Sequence, residues 1–286
     1  MDTIRNLFWC LRIPLRTHHR SSVQSKALGL LKKRAQYTGP HRPSSRYLLG
    51  YAFITYPLRF SSLVPFYTCS TFHMTSWTAK ERQVLKSLST PAKIQDFLNA
   101  LHYRVVGDNE TCSSPRTVLK ERKAQCIEGA MLAAAALRFH GFPPLIVDLE
   151  ASPSDLDHVI AVYQINGFWG ALSKTNHGVL RYREPIYRSI RELVISYFHE
   201  YFLQTTGAKT LRNFSRPINL SKFDKQSWET TTENIWFIPE YLLTIPHTPL
   251  LTKSQISRLR KADSIEIKMG EITEWPEKKF AQEKKS

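Results

Sequence analysis

The feature that most constrains the fold of this chain is an alanine-rich segment near its middle. Residues 130–137 read Ala-Met-Leu-Ala-Ala-Ala-Ala-Leu, and Gly141 with the Pro143-Pro144 pair follows shortly afterwards. Alanine favours helix, whereas glycine and proline end it. We therefore predict a helix over residues 125–140. Its small side chains give it a slim apolar surface that can pack closely against a sheet.

Strand signals follow this helix. Residues 145–150 and 158–164 have the composition of strands, and Asn166-Gly167 is a strong hairpin signal that makes residues 168–173 the partner of the second strand. Residues 189–202 are predicted to form another helix. The order of helix, strands and helix predicts an α+β fold, in which the helix that begins at Cys126 packs on an antiparallel sheet.

Additional helices are expected on both sides of this core. The patterns indicate helices at residues 79–88 and 93–103, a loop at residues 107–115 and a short helix at residues 253–261. Trp228, Trp236 and the aromatic residues between Tyr197 and Phe223 are interpreted as core. The folded domain is placed at residues 77–250, between a basic N-terminal extension (residues 1–76) and a charged C-terminal extension (residues 251–286).

Composition limits the class of protein. A chain of 286 residues with 42% hydrophobic content can bury a substantial core. Its four cysteines include no Cys-x-x-Cys pair, which argues against a disulfide framework or a structural zinc site and favours a reducing compartment.

The N-terminal extension carries much of the basic excess. Residues 1–74 contain 11 of the 40 lysines and arginines but a single acidic residue, Asp2. Such a segment is typical of a mitochondrial transit peptide; a disordered tail, or an upstream stretch before a start at Met74, fits equally, and the protein would then be cytoplasmic. Residues 47–72 are interrupted by Pro57, Arg59 and Pro65, so no membrane span is expected. Nucleic-acid binding is disfavoured because no basic patch with aromatic stacking partners is evident.

Cys126 and His158 are the candidate reactive residues. A helix N-terminus offers unpaired backbone N–H groups and a positive dipole, which stabilise a thiolate and could hold an oxyanion. His158 begins the second strand, where an imidazole could take the thiol proton. Taken singly, each residue is more often explained by packing than by catalysis. Strand alternation places His158 with Ile160 and Val162, opposite Asp157, so Asp157 is not expected to orient the imidazole.

The joint arrangement resembles the transglutaminase-like superfamily of papain-like thiol enzymes. The resemblance rests on Gln125-Cys126 with the Leu-Arg-x-x-Gly-x-Pro turn at residues 137–143, on the strand at residues 157–163 and on the Gly-x-Trp strand at residues 167–172. It implies a papain-like fold and a Cys126–His158 pair that cleaves or transfers an amide or ester. A peptide or a small amide or ester is then the expected substrate, and no metal or other cofactor is needed.

The third position of the triad departs from the family. The family has an aspartate four residues after the tryptophan, whereas this chain has Ser173. A neutral group can orient an imidazole but cannot stabilise the imidazolium by charge, so Asn176 and Glu150 are kept as alternatives. The alternative interpretation is a catalytically lapsed domain that binds a protein or peptide.

Substrate contacts are expected from three residues near this position. Arg181 and Arg183 lie in an arginine- and tyrosine-rich segment that could anchor a carboxylate or phosphate, or could form a salt-bridged surface instead. Trp169, on the Gly-x-Trp strand, is the third.

Overall fold

The computed structural model describes residues 77–104 and 111–274, which belong to one compact unit. The expectations for residues 1–76, including the transit peptide and the apolar segment at 47–72, fall outside the described residues. Within the described residues, no helix has the length and apolar character needed to cross a bilayer.

Eight α-helices are assigned among the described residues. They are α1 (Ala79–Ser87), α2 (Pro91–Asn99), α3 (Pro115–Glu121), α4 (Cys126–Phe139), α5 (Ile190–Phe198), α6 (Phe237–Thr244), α7 (Lys253–Ile256) and α8 (Ser264–Glu271). A 3-10 helix spans Leu220–Gln226.

The strands assigned in the same residues form two sheets. They are β1 (His102–Tyr103), β2 (Lys123–Ala124), β3 (Leu145–Ala151), β4 (His158–Ile165), β5 (Phe168–Leu172), β6 (Arg183–Tyr187), β7 (Leu211–Ser215), β8 (Ile218–Asn219) and β9 (His247–Pro249). The main sheet has the order β6-β5-β4-β3-β7-β9, with β8 also paired to β3, and its described pairings are antiparallel. β1 and β2 pair in parallel just before α4. The α+β class expected from the sequence is therefore observed.

The hairpin between β4 and β5 forms where the sequence predicted it. Asn166 and Gly167 have φ angles of 52° and 82°, as a two-residue type I′ turn requires. The register that follows pairs Ile165 with Phe168 and Ala161 with Leu172. This turn fixes which side chains of β4 and β5 share a face.

Each face of the main sheet carries its own apolar cluster. Val159, Ala161 and Tyr163 of β4 pack with the alanines of α4 and with the other helices of that side. Ile160 and Val162 pack on the opposite face, in a second cluster that contains α5. Trp228 is fully buried and Trp236 packs against the first cluster, which confirms the prediction that these aromatics belong to the core.

Two predicted elements before α4 have different bounds in the structure. The helix expected over residues 93–103 is α2, which ends at Asn99, and the chain then extends into β1. Of the loop expected over residues 107–115, residues 111–114 are described and form neither helix nor strand, and Pro115 begins α3, where Ser114 provides the N-cap. Proline is favoured at the first helical position because the backbone N–H that it lacks would have no partner within the helix there.

Two predicted helices after the hairpin are shorter than expected. The helix expected over residues 189–202 is α5, which ends at Phe198, and Phe202 instead forms a β-bridge with Lys209. The helix expected over residues 253–261 is limited to the four residues of α7.

Residues 251–274, assigned from sequence to a C-terminal extension, fold back on the domain. Thr273 forms a β-bridge with His177, and Glu274 donates its backbone N–H to the carbonyl of Asn176 at 2.9 Å. The Glu274 carboxylate also pairs with Arg181 at 2.9 Å. This segment therefore packs against the loop that follows β5.

Candidate active site

Cys126 is the first residue of α4 and is 5% exposed. The preceding residue, Gln125, has an extended backbone and serves as the N-cap, and its N–H donates to the Glu128 carboxylate at 2.9 Å. The short β2 strand delivers the chain to this point. The thiol therefore lies at the positive end of a 14-residue helix, as the sequence predicted.

Glu128 anchors the first turn of α4 and was not identified from the sequence. Its carboxylate is fully buried and accepts hydrogen bonds from the backbone N–H of Ser113 at 2.7 Å and from the Thr111 hydroxyl at 3.2 Å. It also pairs with Nε of Arg104 at 3.1 Å. Together with Gln125, these donors satisfy a buried charge. The one available signal was a glutamate at the third helical position, as in a capping box.

The direction of α4 places Cys126 at one particular end of the sheet. Gly129 packs directly against Lys174, just after β5, and Phe142, beyond the C-terminus of α4, contacts the Tyr163 ring with centroids 6.4 Å apart. The helix therefore runs along β4 from its first residue towards its last. Cys126, which precedes Gly129 by about one turn, lies at the end of β4 where His158 is located.

The structure brings His158 and Ser173 together. Nε2 of His158 lies 2.8 Å from the Ser173 hydroxyl oxygen, and that hydroxyl donates to the Leu180 carbonyl at 2.6 Å. His158 and Ser173 are both buried. The predicted third position of the triad thus contacts the imidazole with a neutral hydroxyl.

The side chain of His158 and helix α4 lie on opposite faces of the main sheet. Because side chains alternate along a strand, His158 leaves β4 on the face of Ile160 and Val162, which pack in the cluster that contains α5. Helix α4, which Cys126 begins, covers the opposite face. Cys126 and His158 therefore share one end of the sheet but approach it from different sides of β4.

The two alternative third residues have other surroundings. Glu150 accepts a hydrogen bond from the side-chain amide of Asn213 at 2.7 Å, across the β3–β7 pairing. Asn176 is buried, and its carbonyl accepts from Glu274. Of the three residues considered, Ser173 is the one that the structure places at hydrogen-bond distance from His158.

The predicted substrate-contacting residues have intramolecular partners. Arg183 stacks over Tyr197 at 4.1 Å and pairs with Glu200 at 2.7 Å. Arg181 pairs with Glu274. Trp169 is partly buried against the cluster that contains α5. These contacts account for the positions of all three side chains without a bound substrate.

A buried acidic group near Cys126 was also missed from the sequence. Asp148 is paired with Nε2 of His247 at 2.9 Å, and burial raises the pKa of Asp148 despite this partner. A thiolate at Cys126 contributes to the same rise, which indicates that the two side chains are electrostatic neighbours. Burial, followed by the charge of Asp148, raises the pKa of Asp157 to about 8.

His247 accompanies this acidic group on the edge strand β9. Burial is the largest single influence on the pKa of His247 and lowers it. The hydrogen bond and the charge of Asp148 together exceed this effect, so the pKa of His247 is raised. Nδ1 of His247 lies 3.1 Å from the carbonyl of Ile245. Both ring nitrogens therefore have acceptors. In the part of the chain that the structure describes, no three His, Cys, Asp or Glu side chains are grouped to hold a metal ion.

Comparison with known proteins adds no assignment. The chain matches no protein-family model and no curated protein sequence.

Proposed function

We propose that this protein is a transglutaminase-like cysteine hydrolase or acyl-transfer enzyme with a papain-like core, in which Cys126 is the nucleophile and His158 the base. The observation that carries the proposal is the buried contact between His158 and Ser173 at the end of the sheet where Cys126 begins α4. In this proposal the thiol reaches the ring around the end of β4, where His158 is the first residue of the strand.

The proposed reaction proceeds through an acyl-enzyme. His158 takes the thiol proton, the Cys126 sulfur bonds to the substrate carbonyl carbon, and backbone N–H groups of the first turn of α4 hold the oxyanion. The C–N or C–O bond then breaks, and the leaving amine or alcohol takes the proton from the imidazolium. Water or an amine next loses its proton to His158, attacks the thioester and releases the Cys126 thiolate.

The test is to trap the acyl-enzyme on the full chain with p-nitrophenyl acetate. Peptide mapping by mass spectrometry is expected to locate one acetyl group on Cys126. Loss of the base is expected to slow acylation by about 100-fold in His158→Ala. His199→Ala, which alters an exposed histidine at the end of α5, serves as the matched control and keeps the wild-type rate.

A second candidate function is a non-catalytic domain that binds a protein or peptide. Two observations favour it: the third position is the neutral Ser173, and alternation directs His158 to the face opposite α4. In that case acetylation of Cys126 would be no faster in the wild type than in His158→Ala, while both proteins remain folded by circular dichroism.

A further inference from the structure

The hydroxyl of Ser173 has a single proton, and its neighbours determine where that proton lies. The Leu180 carbonyl, 2.6 Å away, can only accept a hydrogen bond, so the proton points to it. The same oxygen lies 2.8 Å from Nε2 of His158 and must therefore accept there. This arrangement requires a proton on Nε2 of His158 and leaves Nδ1 as the unprotonated nitrogen of the neutral ring.

The Leu180 carbonyl is held in an unusual conformation. Leu180 has a φ of 59°, a left-handed conformation that is costly for a residue with a branched side chain. Its N–H donates to Oε2 of Glu200 at 2.7 Å, and the other carboxylate oxygen of Glu200 pairs with Arg183. Glu200 thus stabilises the backbone geometry that aims the carbonyl at Ser173.

Gln95 holds Ser173 from the other side. Its side-chain oxygen accepts from the Ser173 N–H at 3.0 Å, and its side-chain nitrogen donates to the Ser173 carbonyl at 2.8 Å. The pairing of β5 with β6 ends at Ala171 and Arg183. The side-chain amide of Gln95 therefore supplies to Ser173 the two backbone hydrogen bonds that a neighbouring strand would otherwise make. Gln95 is 5% exposed, so this two-point contact is shielded from water.

We propose that Gln95 and Glu200 are positioning residues for His158, acting through Ser173 and the Leu180 carbonyl. Gln95 fixes the Ser173 backbone, Glu200 fixes the carbonyl, and the serine hydroxyl then accepts from Nε2–H of His158. The carbonyl dipole, relayed through the hydroxyl, orients the ring in place of a carboxylate. The use of Nδ1 as the base towards Cys126 rests on the proposed function, whereas the position of the ring proton does not.

The test is nitrogen NMR of the full chain labelled with ¹⁵N-histidine, recorded above pH 8, where the His158 signals are assigned by their loss in His158→Gln. The wild type is expected to show a single Nε2–H tautomer. Ser173→Ala and Gln95→Met are expected to show both tautomers, whereas Ser173→Thr, which keeps a hydroxyl, retains one. Gln164→Met, at an exposed glutamine of β4, is the matched control and leaves the signals unchanged.

An Nδ1–H tautomer in the wild type, or an unchanged single tautomer in both Ser173→Ala and Gln95→Met, would overturn the proposal. The His247 signals report whether each variant keeps its fold. Acetylation of Cys126 is expected to slow by about tenfold in Gln95→Met. If the tautomer results hold but neither the wild type nor any variant acetylates Cys126, the proposed function fails while the positioning role of Gln95 stands.

Discussion

The carboxylate of Glu128 is fully buried and pairs with Nε of Arg104 at 3.1 Å beneath the first turn of α4. The same guanidinium pairs on its other side with Glu121, whose side chain is 44% exposed. Arg104 thus pairs with one buried and one exposed glutamate, so the contributions of the two ion pairs to stability can be compared directly.

Glu128→Gln is expected to lower the free energy of unfolding by about 3 kcal/mol, because it leaves a partly buried guanidinium without its buried counter-charge. Glu121→Gln removes the exposed partner and should cost less than about 1 kcal/mol. Urea unfolding followed by tryptophan fluorescence measures both. Equal costs would show that burial of Glu128 does not determine the strength of this pair.

Gly129 has no room for a side chain. A Cβ there would lie 2.4 Å from the Cβ of Lys174. Because that atom is bonded directly to the backbone, rotation of the lysine side chain cannot relieve the clash. Gly129→Ala is expected to destabilise the fold by about 1–3 kcal/mol by forcing α4 away from the end of β5. At Gly178 the nearest atom to an added Cβ is 3.5 Å away, so Gly178→Ala should have a much smaller effect in the same unfolding experiment.

The raised pKa of Asp157 predicts a pH-dependent stability. Burial raises this pKa from 3.8 to about 8, so between these values the folded chain keeps a proton that the unfolded chain has released. Stability associated with this group is therefore complete below pH 4 and is lost as the pH rises through 8.

Asp157→Asn removes this titration while keeping an oxygen that can accept from the N–H of Ala151. Its stability relative to the wild type is expected to rise with pH and to reach a gain on the order of 2 kcal/mol at pH 8. Asp96→Asn, at an exposed position of α2, serves as the control. Thermal unfolding at pH 4, 6 and 8 gives the comparison, and a constant difference across this range would contradict the prediction.

Arg183 is expected to stabilise the fold through its planar guanidinium. Its stacking on Tyr197 and its pairing with Glu200 need a geometry that lysine lacks. Arg183→Lys should lower the free energy of unfolding by about 1 kcal/mol. Because Glu200 then loses its guanidinium partner, both tautomers of His158 should become populated. Arg188→Lys, at an exposed neighbour, is the matched control. Unchanged stability together with weakened substrate binding would instead support the substrate-contacting role expected from the sequence.

The elements that local signals determine were predictable from the sequence. The alanine-rich helix α4, the strands β3 and β4 and the Asn166-Gly167 turn all depend on residues adjacent in the chain, and the structure places them within one or two residues of the prediction. The contact between His158 and Ser173 follows from the same hairpin, because the turn sets the register that puts both side chains on one face.

The remaining features depend on contacts between distant parts of the chain. Gln95 reaches Ser173 across 78 positions, and Asp148 reaches His247 across 99, so neither pair leaves a local pattern. The edge strand β6 was not predicted, and the left-handed backbone of Leu180 is stabilised by Glu200 rather than by its own residue type. Alternation along β4 was known from the sequence, but only the packing of α4 and α5 shows which face each helix covers.

The most direct test of a reactive Cys126–His158 pair is the rate of alkylation by iodoacetamide at each cysteine of the full chain at neutral pH. Burial raises the pKa of Cys112 well above its ordinary value, so Cys112 provides an internal reference for an inert thiol. Cys126 is expected to react at least about tenfold faster than Cys112, and His158→Ala is expected to abolish this advantage. Equally slow alkylation of Cys112 and Cys126 in the wild type would contradict the account.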